Sequence, residues 1–493
     1  GKEFRNEAYY NIILGTDYYF NDWNVLTLSG NYALEIEDQP SLTNFDIIQD
    51  GNLVNQYFRD ETTEATNPKW QYELVFKRDF KDHEDHDLVF SGIGNFFGKA
   101  QSSDFANITT FGAQSDSFEK IRTDFSEAKY TFQLDYIKSI GEKLKFETGG
   151  QYLIQIVSND FEVANLIDDV FVSDPGLTNI FEYDQRVMGL YSTGAYEEGN
   201  WGIKAGLRVE TTILNTLLKT TGEENDQNYI SLFPSLHSSY KLTERLSFQA
   251  SYSRRIFRPR LWDLNPFFNI RNNFSIRTGN PELLPEFTDS YELSGIYILE
   301  KISLSLGVYH RYTTDVVERI STFENNVNTF KPVNIGVNRS TGIELISKYT
   351  PADWVVLNGD INYNFFEREG RFEGNSFDFR ADQWSAQLTS KFKLPADLDI
   401  ECTANYRSAF QTVQRDVSAN LFADFGLRKK IIGGKAVVSI SVRDVFFSRF
   451  DESRILQDDF SIYSFEQRGR FITAGFSYGF GKGEAMEYTG KRR

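Results

Sequence analysis

Apolar and polar residues alternate one for one along most of this chain. Leu246, Phe248, Ala250 and Tyr252 alternate with Ser247, Gln249, Ser251 and Ser253, and Ile302, Leu304, Leu306 and Val308 alternate with Ser303, Ser305 and Gly307. A period of two puts one set on each face of a β-strand. Such stretches number about nineteen, from the neighbourhood of residue 7 to residue 481, and no stretch competes as a long amphipathic helix. The chain therefore reads as one all-β unit.

The connections are of two kinds in alternation. Short ones fall at FND near residue 21, HEDH near 84, IGEK near 141, EEGN near 198, TER near 244, EK at 300, PAD near 352 and 396, and GG at 433. Between them fall long ones near 39–66, 102–122, 161–179, 220–228, 259–286, 320–337, 368–376 and 450–463. Short turns on one rim and long loops on the other are how transmembrane antiparallel β-barrels are built. Strand length points the same way, because soluble sandwiches use strands of roughly 5 to 6 residues and these stretches often run well past ten. In WGIKAGLRVE, Trp201, Ile203, Ala205, Leu207 and Val209 face away from Lys204, Arg208 and Glu210. Charges at membrane depth face water or protein, so the apolar set is expected to face lipid and the polar set the barrel interior. Ile203 and Leu304 are expected near mid-membrane.

Composition narrows the choice. The 493 residues include 44 Phe and 26 Tyr but 2 Met and 11 Pro, a balance that favours strands. A net charge of −18 argues against nucleic acid as a partner. The single cysteine, Cys402, rules out an internal disulfide and a cysteine-based zinc site. No run of eighteen apolar residues exists, which excludes a transmembrane helix and leaves a barrel open.

Arg254-Arg255-Ile256, Arg258-Pro259, LNPF at 264–267 and GNPELLPEFTDSYELSG at 279–295 resemble the barrel of TonB-dependent outer-membrane receptors, in particular the outer-membrane β-barrel family of Bacteroidetes type. AGLRVETT at 205–212, LFPSLHSSYKL at 232–242 and SVRDVFFSRF at 441–450 follow in the family's order, and the similarity extends over roughly residues 200–481. The resemblance implies an outer-membrane receptor that imports a nutrient, not an enzyme, and no cofactor. It implies a 22-stranded barrel of which about nineteen strands are visible, the first being the fourth, with the plug domain outside this segment. Residues 1–481 are then barrel and 482–493 a periplasmic C-terminal tail. Partners implied are outer-membrane lipid and lipopolysaccharide, the TonB energy-coupling protein acting through the plug, and the barrel assembly machinery, which the aromatic-ended FITAGFSYGF strand would engage. A surface lipoprotein is a further partner the resemblance allows. The alternatives are a receptor-like barrel serving as a structural or docking subunit of a larger outer-membrane complex, and a soluble β-rich binding protein.

Candidate ligand contacts gather in the 259–286 loop, where Trp262, Phe267, Phe268, Arg271 and Phe274 can stack on a ligand or form the loop's own small core. In GNPELLPE, Gly279 permits positive φ, and Pro281 and Pro285 stiffen the return to the sheet at Glu286. Other motifs carry less. Gly475-Phe476-Ser477-Tyr478-Gly479 matches a nucleophile elbow, but that chemistry needs a strand-to-helix turn and Ser477 sits inside an alternating strand. KDHEDHD at 81–87 holds His83 and His86 in a short turn, which reads as solvated rather than metal-binding. His237 and His310 are isolated, and no acidic loop has the spacing of a calcium site.

Overall fold

The computed structural model describes residues 2–4, 6–49, 51–80, 85–266, 275–324, 327–372, 375–457 and 460–479. Among them, an antiparallel sheet holds 21 strands; two, Lys2–Glu3 and Val170–Ser173, are short, and the other nineteen are eight residues or longer, as the alternation leads one to expect. The first eight long strands are β1 (Asn6–Asn21), β2 (Asn24–Gln49), β3 (Asn52–Asp79), β4 (His86–Phe111), β5 (Ser117–Ile140), β6 (Leu144–Ile167), β7 (Asn179–Glu198) and β8 (Trp201–Leu218). Consecutive strands pair, which satisfies the backbone of each from its neighbour.

The long connections need correction. β2 and β3 run through most of residues 39–66, β4 and β5 take up much of 102–122, and β6 extends into 161–179. These segments are strand extensions because the ladder continues past the point where the alternation fades. The 320–337 connection is likewise a hairpin, Val317–Glu324 against Val327–Asn334. Much of 450–463 belongs to a four-stranded sheet with Phe410–Gln411, Arg415–Val417 and Ser461–Gln467. Among the described residues no helix is long and apolar enough to cross a membrane.

The chain divides into two compact units, one of residues 1–196, 204–234 and 259–283, the other of residues 197–203, 235–258 and 284–493. In the first, one sheet face is apolar and uncovered. Trp70, Tyr72 and Leu74 on β3, Phe132 and Leu134 on β5, and Met188 and Leu190 on β7 all stand exposed. Tyr72 lies over Gly94, where an added Cβ would meet the ring at 2.1 Å. This face changes character along each strand. Past Pro68 it carries Thr66, Glu64, Thr62 and Asp60; past Ala128 it carries Ser126, Asp124, Arg122 and Lys120. There Arg122 donates to Asp160 and Glu162 at 3.2 Å and also to Asp124. The opposite, polar face is buried in its upper part, where Phe105, Ile121, Phe161 and Val163 pack together with Leu177.

In the second unit the same division holds, with Leu293 65% and Leu306 53% exposed on the apolar face. Aromatic pairs mark its edges: Trp354 with Phe392 at 6.4 Å near one turn rim, and Trp384 with Tyr406 at 4.4 Å toward the other end of the strands. An uncovered apolar face bordered by aromatic rings is the surface that lipid, not water, covers.

Candidate functional site

Register assembles the site. On the polar face of the first unit, Asn31 lies opposite Gln71, Gln71 opposite Asn95, Asn95 opposite Lys129, Lys129 opposite Gln155, and Gln155 opposite Gln185. Six adjacent strands, β2 to β7, thus contribute five side-chain amides and one lysine to a single row. At about 4.8 Å per strand the row is roughly 24 Å long. A cleft of about 290 Å³ opens along its first half, lined by Asn31, Lys69, Gln71, Asn95, Phe97, Glu127 and Lys129 among others.

The rows beyond it bring aromatic and acidic groups. Lys69 pairs with Glu35 at 2.7 Å and lies over the Phe97 ring at 5.5 Å. Gln155 donates to Glu127 at 2.6 Å. Asn67, 3% exposed, donates to Glu37, which also accepts from Gln39 at 2.6 Å. Ser41 and Thr63 each donate to Glu61 at 3.0 Å. The buried Oδ1 atoms of Asn31 and Asn67 have no hydrogen-bond partner among the described residues. Higher still, Arg59 bonds Glu119 at 3.2 Å and covers Phe105 at 4.3 Å. Burial raises the Glu119 carboxyl above the usual carboxylate range against the opposing pull of Arg59, and Asp174 adds to the rise.

The 259–283 segment of the same unit supplies the third component. It opens with a four-residue helix, Leu261–Leu264, whose start is held by Arg260 N donating to Asp263 at 3.2 Å. Leu264 and Leu283 are fully buried. Asn225 donates to the Pro281 carbonyl and Gln227 to that of Leu283, which ties the returning limb down. The two limbs cross where Gly279 N donates to Asn265 O at 3.0 Å and Asn280 N to Asp263 O at 2.7 Å. A Cβ on Gly279 would stand 2.5 Å from that carbonyl oxygen. Gly279 is therefore required for close approach of two backbones, and not for a positive φ as the sequence suggests, since it does not adopt one.

Of the sequence-predicted contacts, Trp262 is placed in this wall: it is 44% exposed and stacks on Phe125 with centroids 5.7 Å apart and planes at 25°. Phe125 in turn lies 5.7 Å from Phe97. Phe267, Phe268, Arg271 and Phe274 lie outside the described residues, as do His83 and the tail from residue 482. Ser477 sits within the strand Phe471–Tyr478, opposite Val437, and not on a strand-to-helix turn. His86 is not in a solvated turn as expected: it is buried, stacking on Phe80 at 4.1 Å and bonding Tyr136 at 3.0 Å. Among the described residues no three His, Cys, Asp or Glu side chains are grouped to hold a metal ion. The amide row escapes a reading of single strands, because each member is just one polar position in an alternating stretch.

Comparison with known proteins gives three results. The pattern of the family described as outer membrane protein beta-barrel family matches residues 78–478. No curated protein matches the chain in sequence. Solved structures match in fold. The copper transporter OprC aligns with a TM-score of 0.56 at 8% identity, covering 97% of this chain and 80% of its own. BauA, the ferric preacinetobactin receptor from Acinetobacter baumannii, aligns at 0.54 and 12% identity, covering 97% and 78%. The ferric yersiniabactin uptake receptor FyuA from Yersinia pestis aligns at 0.52 and 12%, covering 92% and 77%. At such identities the likeness is one of fold.

Proposed function

The chain belongs to the outer membrane protein beta-barrel family, and from that premise we propose that it is a TonB-dependent receptor that imports a nutrient across the bacterial outer membrane. As an outer-membrane barrel it turns its uncovered apolar face to lipid and its polar face inward. The observation that carries the reading is the wall of the first unit: a row of amides with a cleft along it, and above that row a loop anchored on the same wall, with a tryptophan at its surface. A barrel that only supports other subunits has no need of a polar, ring-bearing recess beneath a folded-in loop. A receptor does, because capture of a dilute solute requires preformed contacts.

The proposed sequence of events is capture at the extracellular mouth, transfer along the inner wall, and release to the periplasm driven through TonB. Two measurements test it together. A strain lacking the protein is expected to grow more slowly than its parent on at least one limiting nutrient, and the parent's saturable uptake of that nutrient is expected to stop when a protonophore de-energises the inner membrane. Equal growth of the two strains on every limiting nutrient, or uptake indifferent to the protonophore, refutes the importer.

A further inference from the structure

We propose that the amide row and the ring path above it form a binding subsite for an uncharged oligosaccharide. This rests on the importer reading for the direction in which the ligand travels, but not for its binding. Three features of the wall converge. The first is a stacking path: Trp262 lies on Phe125 and Phe125 beside Phe97, each pair 5.7 Å apart, and Phe97 itself lines the cleft. Trp262, 44% exposed, offers its outer face to the flat C–H face of a pyranose and releases the water covering both, while Phe125, 7% exposed, backs it from behind. The path therefore runs from the surface of the loop to the amides.

The second feature is the row itself. A side-chain amide presents a donor and an acceptor side by side, which matches neighbouring hydroxyls on one sugar ring. Gln71, Asn95 and Gln155 lie on three of the six consecutive strands, so an extended chain of sugars meets equivalent groups repeatedly.

Charge excludes the main competitor. Lys69 is held by Glu35, and Lys129 shares the cleft with Glu127. With Lys69 paired and Lys129 balanced by Glu127, the cleft holds no excess of positive charge for an anionic chelate, whose desolvation would go uncompensated. An extended peptide is disfavoured for a different reason. A peptide held as an added strand needs a free sheet edge, whereas strands β2 to β7 have both edges paired.

The experiment is equilibrium binding to the purified full-length protein in a detergent without a sugar headgroup, since a maltoside would compete. The probes are hexasaccharides of α- and β-linked glucose, mannose and xylose, with ferric citrate and a neutral hexapeptide as the rival chemistries. At least one hexasaccharide is expected to bind saturably, and Trp262→Ala and Asn95→Ala are each expected to weaken it about tenfold, the loss of one good contact. Trp262→Phe, which keeps a ring, should restore most of that loss. Heat-modifiable gel migration identical to wild type shows that each variant is folded. Absence of binding across the hexasaccharide panel overturns the proposal, as does binding indifferent to both alanine variants or saturable binding of ferric citrate or the hexapeptide that Asn95→Ala abolishes. Binding that behaves as expected in a protein that fails the uptake test would sink the importer and leave the subsite standing.

Discussion

The two faces of the sheet can be tested with a single arginine, provided its depth is worked out first. Strand β8 starts at a short turn with Trp201, whose ring packs on Tyr240 at 4.4 Å and marks the rim of the apolar band. Leu207 is six residues further along. At about 3.4 Å per residue and a tilt of about 40 to 45°, that is roughly 20 Å of strand and about 15 Å of height. The band is about 25 Å tall, so Leu207 lies close to its middle. Ile203, two residues from Trp201, is only about 5 Å above the rim, lower than the mid-membrane position expected for it from sequence. Both face outward: Leu207 is 49% and Ile203 47% exposed, while Lys204 pairs with Glu147 at 2.8 Å and Arg208 with Glu210 at 2.6 Å on the other face. Leu207→Arg should therefore cost about 2 to 4 kcal/mol and Ile203→Arg about 1 kcal/mol. Ser91→Arg is the control, since Ser91 lies on the polar face opposite Gln133, which accepts from Gln151, itself bonded to Arg208 at 2.9 Å. Urea unfolding in lipid vesicles, read from the midpoint at constant slope, reports the differences. If Leu207→Arg and Ser91→Arg cost the same, the faces have been assigned the wrong way round; if Ile203→Arg costs as much as Leu207→Arg, the depth argument fails.

Orientation is checked by labelling. In a Cys402→Ser background, a membrane-impermeant thiol reagent applied to intact cells should modify Thr221→Cys, in the turn after β8, and spare Glu142→Cys, in the short turn between β5 and β6; the reverse pattern inverts the topology. The buried Glu119 predicts a pH dependence outside the membrane band. Its native pKa is raised, so as pH rises the unfolded state releases its proton first and wild type loses stability relative to Glu119→Gln, from the ordinary carboxylate range up through the raised native value. A difference between the two that is constant over this window, or of opposite sign, contradicts the burial argument.

How much of this was legible in the sequence depends on which contacts set each feature. The strands and their lipid-facing residues were legible because lipid imposes a strict period of two, and Trp70, Tyr72, Leu74 and Phe76 show it without any knowledge of partners. The strand extensions were not, because above the apolar band the outward face meets water. Thr62 and Glu64 point one way and Thr63 and Glu61 the other, and two polar faces leave no alternation to read. Trp262 was legible as a ring out of place in a loop, but Phe125, more than a hundred residues earlier, reads as an ordinary strand position.

The amide row was hidden for a geometrical reason. Strands in a barrel tilt, so a row perpendicular to them climbs away from the turn rim. Asn31 is seven residues past Asn24 at the start of β2, whereas Gln185 is thirteen residues short of Glu198 at the end of β7. Counting equal numbers of residues up from each short turn therefore lines up the wrong side chains, and the error grows from strand to strand. The turns are visible in the sequence and the stagger is not, and the stagger is what sets five amides and a lysine side by side.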